Sequence, residues 1–207
     1  MYTKEQEHVM PFATAKEHRD FFRDHQRIEF ENLLTDAQCL QIQKAARTRT
    51  AGRDLWRDNA AIKKISCNRD FAQIAAELIG VRELRIGYDQ MVDLLPKESA
   101  SLVDISCIQG LVCGLIICIQ KPSDEEEEFS EFFPQQIGTG IFFSAETPIP
   151  FEDLAAAHKG SYFMIAYAAK DAVYIHQERD PSLHKWKSLG YSFGDRLQDL
   201  MHPIIHQ

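Results

Sequence analysis

Polar and apolar positions change their rhythm once along this chain, near residue 84. From Ala15 to Gln26 a polar stretch carries the pair Phe21 and Phe22, and it runs into Ile28-Glu29-Phe30-Glu31, where apolar and acidic residues alternate. The first reads as a helix and the second as a short strand. Thr35-Asp-Ala-Gln38 opens the next helix as a capping box, the threonine hydroxyl accepting from the Gln38 amide while the Gln38 side chain reaches back. Leu40, Ile42 and Ala45 follow on it, and Asp36 in the first turn suits the positive end of the helix. Asp54-Leu-Trp-Arg57 predicts another short helix. Phe71, Ile74, Ala75 and Leu78 recur at helical spacing within Arg69 to Leu78, and Gly80 stands where a left-handed cap ends such a helix.

From Leu84 the pattern becomes short apolar runs rich in Ile, Val, Tyr and Phe, broken by Pro, Gly and acidic stretches. Strands are predicted over Leu84 to Leu95, Leu102 to Gln120, Ile137 to Phe143 and Ser161 to Ile175, with Gly110 and Gly114 as bulges or bends. Leu183 to Trp186 and Gly194 to Leu200 read as helical pieces around the Gly190-Tyr-Ser-Phe-Gly-Asp195 turn. The prediction is one domain over 1–207: a mainly helical front (1–83), a β core (84–177) and a C-terminal turn and helix (178–207).

Composition adds limits to this picture. A net charge of −8 over 207 residues weighs against a chain that coats nucleic acid or an anionic membrane. The charge is uneven: Lys44 to Arg69 holds eight Lys and Arg against two Asp, a local +6. Arg53, Trp56 and Arg57 lie in that stretch, which reads as a solvated surface, a pocket for an anion or a patch for nucleic acid. Five cysteines without a CxxC pair, and no apolar leader in the first twenty residues, fit a reducing cytoplasm. Cys107, Cys113 and Cys118 lie on predicted strands with no neighbouring His or Arg to activate a thiol, so they read as small apolar core residues. The apolar run Ile105 to Ile119 is interrupted by Gln109 and is shorter than the roughly 20 residues of a membrane span. The acidic run Ser123 to Glu128 reads as a solvated loop in preference to a metal site.

Several strings resemble the phytanoyl-CoA dioxygenase-like branch of the Fe(II)/2-oxoglutarate-dependent oxygenases. They are Phe21 to Asp36, Arg69 to Gln90 with its Ile86-Gly-Tyr-Asp-Gln90 ending, and Gly160-Ser-Tyr-Phe-Met-Ile-Ala-Tyr167 followed by Tyr174. Together they cover most of the chain, which looks most similar to a chlamydial member of that group. The resemblance implies an α+β fold, a double-stranded β-helix (a jelly-roll, cupin-like barrel) with flanking N-terminal helices. It also implies Fe(II) and 2-oxoglutarate, the metal held by an HxD pair on one strand and a later histidine. Here Asp104 stands for the carboxylate and Leu102 stands where the first histidine is expected. The arginine that usually holds the far carboxylate of 2-oxoglutarate has no match, and Lys159 offers only a point charge in its place.

Those departures weigh against the group's usual hydroxylation. His176-Gln-Glu178 supplies a substitute pair with same-face spacing, although His184 follows too soon for a third ligand and the stretch reads as an exposed turn. His202 and His206 are separated by Pro203 and read as tail residues. The leading expectation is a binding or regulatory protein whose pocket, bordered by Tyr88, Gln90, Asp104 and Lys159, takes a small organic acid or a cation. The alternatives are an oxygenase with rearranged ligands, using Asp104, His176 and Glu178, and a divalent-cation-responsive transcriptional regulator using Arg53, Trp56 and Arg57.

Overall fold

The structure, a computed structural model, describes residues 14–47, 53–92, 98–121, 132–156 and 160–207. The helical front holds α1 (Lys16–His25), β1 (Arg27–Phe30), α2 (Asp36–Arg47), a 3-10 turn (Leu55–Arg57), α3 (Ala60–Ser66) and α4 (Arg69–Ile79). The second half holds β2 (Leu84–Met91), β3 (Ile108–Gln120), β4 (Gly140–Ser144), α5 (Phe151–Ala156), β5 (Ser161–Tyr174), α6 (Leu183–Ser188) and β6 (Ile204–His206). All six strands form one sheet in the order β1-β4-β3-β5-β2-β6, and every pairing is antiparallel. No helix among the described residues is long and apolar enough to cross a membrane.

Local signals account for most of the helix ends. Thr35 and Gln38 form the reciprocal cap, with Gln38 Oε1 accepting from the Thr35 amide at 2.9 Å and Thr35 Oγ1 from the Gln38 amide at 3.3 Å. Gly80 closes α4 at φ 77°, its N–H donating to Ala76. Helix α3 was not expected from the apolar pattern. It is started by Asn59, whose side-chain Oδ1 accepts from the Ala61 and Ile62 amides.

The sheet has two buried faces. On one, Ile86, Leu115, Ile117, Phe142, Phe163, Ile165 and Tyr167 pack against the apolar sides of α2, α3 and α4. On the other, Tyr88, Ile116, Cys118, Phe143, Met164 and Ala166 pack against the loops and the C-terminal segment. Register carries this division: Tyr88 lies opposite Ala166 and Gln90 opposite Met164, whereas Asp89 between them lies opposite Ile165 on the helix side.

Four local expectations are corrected. Residues 102–107 form a turn before β3, because the Asp104 carboxylate takes the Ser101 amide and hydroxyl and folds the chain back. Gly110 does sit at a register shift, with φ 103°. Gly114 is instead a point of close approach in a regular stretch, where an added Cβ would lie 2.2 Å from the Phe143 ring. Residues 194–200 form turns, since Arg85 takes the Leu197 carbonyl and the Tyr191 hydroxyl accepts from the Gln198 amide, backbone groups a helix would have used. His202 is buried, and the chain that follows it becomes β6 on the sheet edge.

Candidate functional site

Strand β2 gathers the polar side chains of the interior. On its helix side, Asp89 is fully buried and accepts from the Leu55 amide (2.6 Å), the Trp56 amide (3.0 Å) and the Ser66 hydroxyl (2.6 Å). It thereby fastens the 3-10 turn and α3 to the sheet. Burial, followed by the nearby charge of Asp54, raises its pKa to about 7. Asp54 itself has a left-handed backbone, φ 59°, from which its N–H reaches the Asp89 carbonyl at 2.8 Å.

The opposite side of β2 carries Tyr88 and Gln90. Arg53 bridges by its backbone to Gln90, and its guanidinium carbon lies 3.6 Å from the centre of the Tyr88 ring. Its Nη1 donates to Asp180, the acid of the only ion pair among the described residues with both side chains at or below 5% exposure. Asp180 is fully engaged: it also accepts from the Ser182 amide (2.7 Å), the Cys107 amide (2.7 Å) and the Trp186 indole (3.4 Å). Burial works against the Arg53 charge, while Tyr88, Asp180 and Asp54 hold its pKa above the ordinary value. Burial likewise raises the Tyr88 pKa, so the phenol stays neutral.

Trp186 extends this cluster to His202. The two rings are parallel with centres 5.3 Å apart, and Tyr191 meets both at an angle. His202 Nδ1 lies 2.9 Å from the Gly87 carbonyl and must carry the proton there, which leaves Nε2 to accept from Arg57 at 3.4 Å. Burial, then the Arg57 charge, lowers the His202 pKa to about 3.

Some hydrogen-bonding valences beside β2 are left open. Among the described residues, nine buried polar side-chain atoms have no hydrogen-bond partner, and seven of them fall in residues 53–57 and 85–90. Three belong to the cluster just described, Arg53 Nη2, Tyr88 Oη and Gln90 Oε1, although the Arg53 guanidinium and the Tyr88 hydroxyl stabilise each other through charge and side-chain hydrogen bonding. A buried donor or acceptor without a partner costs about 1–3 kcal/mol, so such a concentration marks a place to look for function.

The residues singled out in the sequence divide accordingly. Tyr88 and Gln90 are brought together with Arg53, which the linear reading had placed in a separate patch. Trp56 is buried among the helices, and Arg57 is partly buried against Asp54 and His202, so these three side chains are turned inward rather than displayed as a surface strip. Asp104 is exposed, its carboxyl held below the ordinary value by the Ser101 hydroxyl and amide. His176 and Glu178 are exposed on the segment after β5. Lys159 and the acidic run 123–128 lie outside the described residues. Asp180 and His202 were missed: Asp180-Pro-Ser182 is a helix-start signal ahead of α6, but the charged residues around it hid its burial.

The antiparallel sheet backed by N-terminal helices defines a class. The chain has an Fe(II)/2-oxoglutarate-dependent oxygenase-like fold, as solved structures show. The non-heme α-ketoglutarate-dependent carbocyclase SnoK from nogalamycin biosynthesis is 14% identical and matches with a TM-score of 0.70 over 92% of this chain and 96% of its own. The epimerase SnoN of the same biosynthesis is 12% identical, with a TM-score of 0.64 over 93% of this chain and 98% of its own. CT296 from Chlamydia trachomatis is 21% identical, with a TM-score of 0.54 over 77% of this chain and 98% of its own. No family model matches the chain, and no curated protein matches it.

The described residues do not fit the iron that this fold implies. No group of three or more His, Cys, Asp or Glu among them is placed to hold a metal ion. The two histidines and one carboxylate of the usual centre need to converge on one point. Here Asp104 is spent on its own turn, and the one histidine buried at the cluster is stacked on Trp186 and bonded to Gly87 and Arg57. Burial also keeps the cysteine thiols protonated, pushing Cys107 up to about 12 and Cys39, Cys67 and Cys118 to about 11.

Proposed function

We propose that this chain is a non-catalytic binding or regulatory protein of the cytoplasm, built on a double-stranded β-helix of the phytanoyl-CoA dioxygenase-like kind. The observation that carries the reading is the content of the interior. The sheet face opposite the helices is lined by apolar and aromatic side chains and holds the mutually neutralised pair Arg53 and Asp180, and among the described residues no imidazoles and carboxylate converge there. Imidazoles supply much of the affinity of such iron centres and fix their geometry, and a lone exposed carboxylate does not replace them.

A small organic molecule, entering beside Tyr88 and Gln90, is the ligand this reading favours. A surface for duplex DNA is less favoured, because Arg53 and Trp56 are buried. The test is turnover: the purified protein with Fe(II), ascorbate and 2-oxoglutarate, assayed for succinate under oxygen. The expected result is no succinate above a protein-free control. Stoichiometric or catalytic succinate, abolished by Asp104→Ala or His176→Ala, would replace this reading with an oxygenase of rearranged ligands.

A further inference from the structure

The helical layer turns a basic face to solvent. Inward, α2 buries Cys39, Ile42 and Ala45, and α3 buries Ile62, Ile65 and Ser66. Outward, Lys44 and Arg47 stand near the end of α2, Lys63 and Lys64 near the end of α3, and Arg69 at the start of α4, and all five are exposed. Helices α2 and α3 pack on each other, and only Cys67 and Asn68 separate α3 from α4, so the five cations stand on one continuous helical layer. No ion pair among the described residues uses any of them. The cations in the last turns of α2 and α3 suit the negative helix ends, but Arg69 stands in the first turn of α4, where the dipole disfavours a cation. Like charges gathered in this way repel one another, and a partner's carboxylates would relieve that repulsion.

Two neighbours select among anionic partners. Leu40 is 48% exposed and lies one helical turn before Lys44 on the same side of α2, so an apolar side chain set among acids would cover it. A nucleic acid fits less well. Trp56 and Arg53, each 4% exposed, are turned inward, which leaves no ring of this stretch free to stack on a base. With −8 overall and +6 in this stretch, the rest of the chain is acidic and would repel a long phosphate backbone. A short acidic segment touches only the basic layer.

We propose that the outer side of α2, α3 and the start of α4 is a docking surface for an acidic protein segment with an apolar side chain, its carboxylates meeting Lys44, Arg47, Lys63, Lys64 and Arg69 and its apolar group covering Leu40. This surface is independent of whatever the interior binds.

The test uses the full chain and fluorescently labelled nonaglutamate, the same peptide with a central leucine, and a single-stranded DNA of matched charge, read by anisotropy at about 20 mM salt. The leucine peptide is expected to bind saturably and about three-fold more tightly than nonaglutamate. Charge reversal on either helix, Lys44→Glu with Arg47→Glu or Lys63→Glu with Lys64→Glu, is expected to weaken it about ten-fold. Lys170→Glu with Arg179→Glu changes the net charge equally but lies on and after β5, and is expected to leave binding unchanged. Leu40→Ser is expected to erase the advantage of the leucine. All of these side chains are exposed, so each variant is expected to fold, as thermal unfolding will check. Absent saturable binding, equal weakening by the control pair, DNA binding as tight as the leucine peptide, or a leucine advantage that survives Leu40→Ser would each overturn the proposal. Succinate production from 2-oxoglutarate is a separate readout, so the non-catalytic reading can fail or stand independently of the peptide result.

Discussion

Asp89 and its two neighbours on β2 show two ways of burying a polar group. Asp89 faces the helices with three donors on its carboxylate, and each donor belongs to a segment that the acid pins to the sheet. Tyr88 and Gln90 face the other way, where Tyr88 meets the Arg53 guanidinium and Gln90 Oε1 has no hydrogen-bond partner. A polar group that serves folding completes its bonds inside the chain, so an open valence in the interior is the exception. Asp180 belongs with Asp89 in this respect, since its oxygens are occupied by three chain segments, 53, 107 and 180–186.

The largest effect should come from breaking the closed kind. Asp180→Ala leaves the Arg53 guanidinium buried without its counter-charge and strands the Cys107 amide, and is expected to cost about 4–5 kcal/mol in denaturant unfolding. Asp89→Ala frees three donors in the helix-facing core and is expected to cost about 3 kcal/mol by the same measurement. A smaller effect there than for Tyr88→Phe would undo the contrast between the two sides of β2.

Acid should expose His202 next. Its folded pKa of about 3 lies below the ordinary 6.5, so its contribution is fully present above pH 6.5 and is lost as pH falls from there towards 3. The slope it adds is at most about 1.4 kcal/mol per pH unit. Asp89 works the other way: with its pKa raised to about 7, it favours the folded state most when protonated, and its contribution is lost as pH rises from about 4 to 7. Comparing pH profiles of urea midpoints should show His202→Leu flattening the acid side and Asp89→Asn flattening the rise-dependent loss. The smallest effect is expected for Tyr88→Phe, within about 1 kcal/mol of wild type, because the ring contact with Arg53 is kept and only the hydroxyl is lost.

The amino-acid sequence spoke clearly where the signal is local. The Thr35 capping box, the Gly80 stop, the Gly110 bulge and the long strands β3 and β5 could all be read from residue type and period. Long-range placement could not. Leu102 to Cys107 is apolar enough for a strand, but the Ser101 and Asp104 pair bends it into a turn. His202 looked like a tail residue because nothing nearby in sequence reports that Trp186 and Gly87 receive it. Arg53 and Asp180 stand 127 positions apart, so their pairing is invisible to any window. The oxygenase-like fold was legible because the resemblance spans most of the chain. The polar cluster beside β2 was half legible, through Tyr88, Gln90 and Arg53, and their proximity emerged only when the antiparallel register was known.

We propose that this oxygenase-like fold holds no iron centre, since none of its described residues is grouped to bind one. The most direct test is anaerobic Fe(II) titration of the purified chain, with and without 2-oxoglutarate, followed by metal analysis after gel filtration. The account predicts no iron retained and no saturable binding at concentrations that load ordinary members of the class. One tightly held iron per chain, strengthened by 2-oxoglutarate, would contradict it.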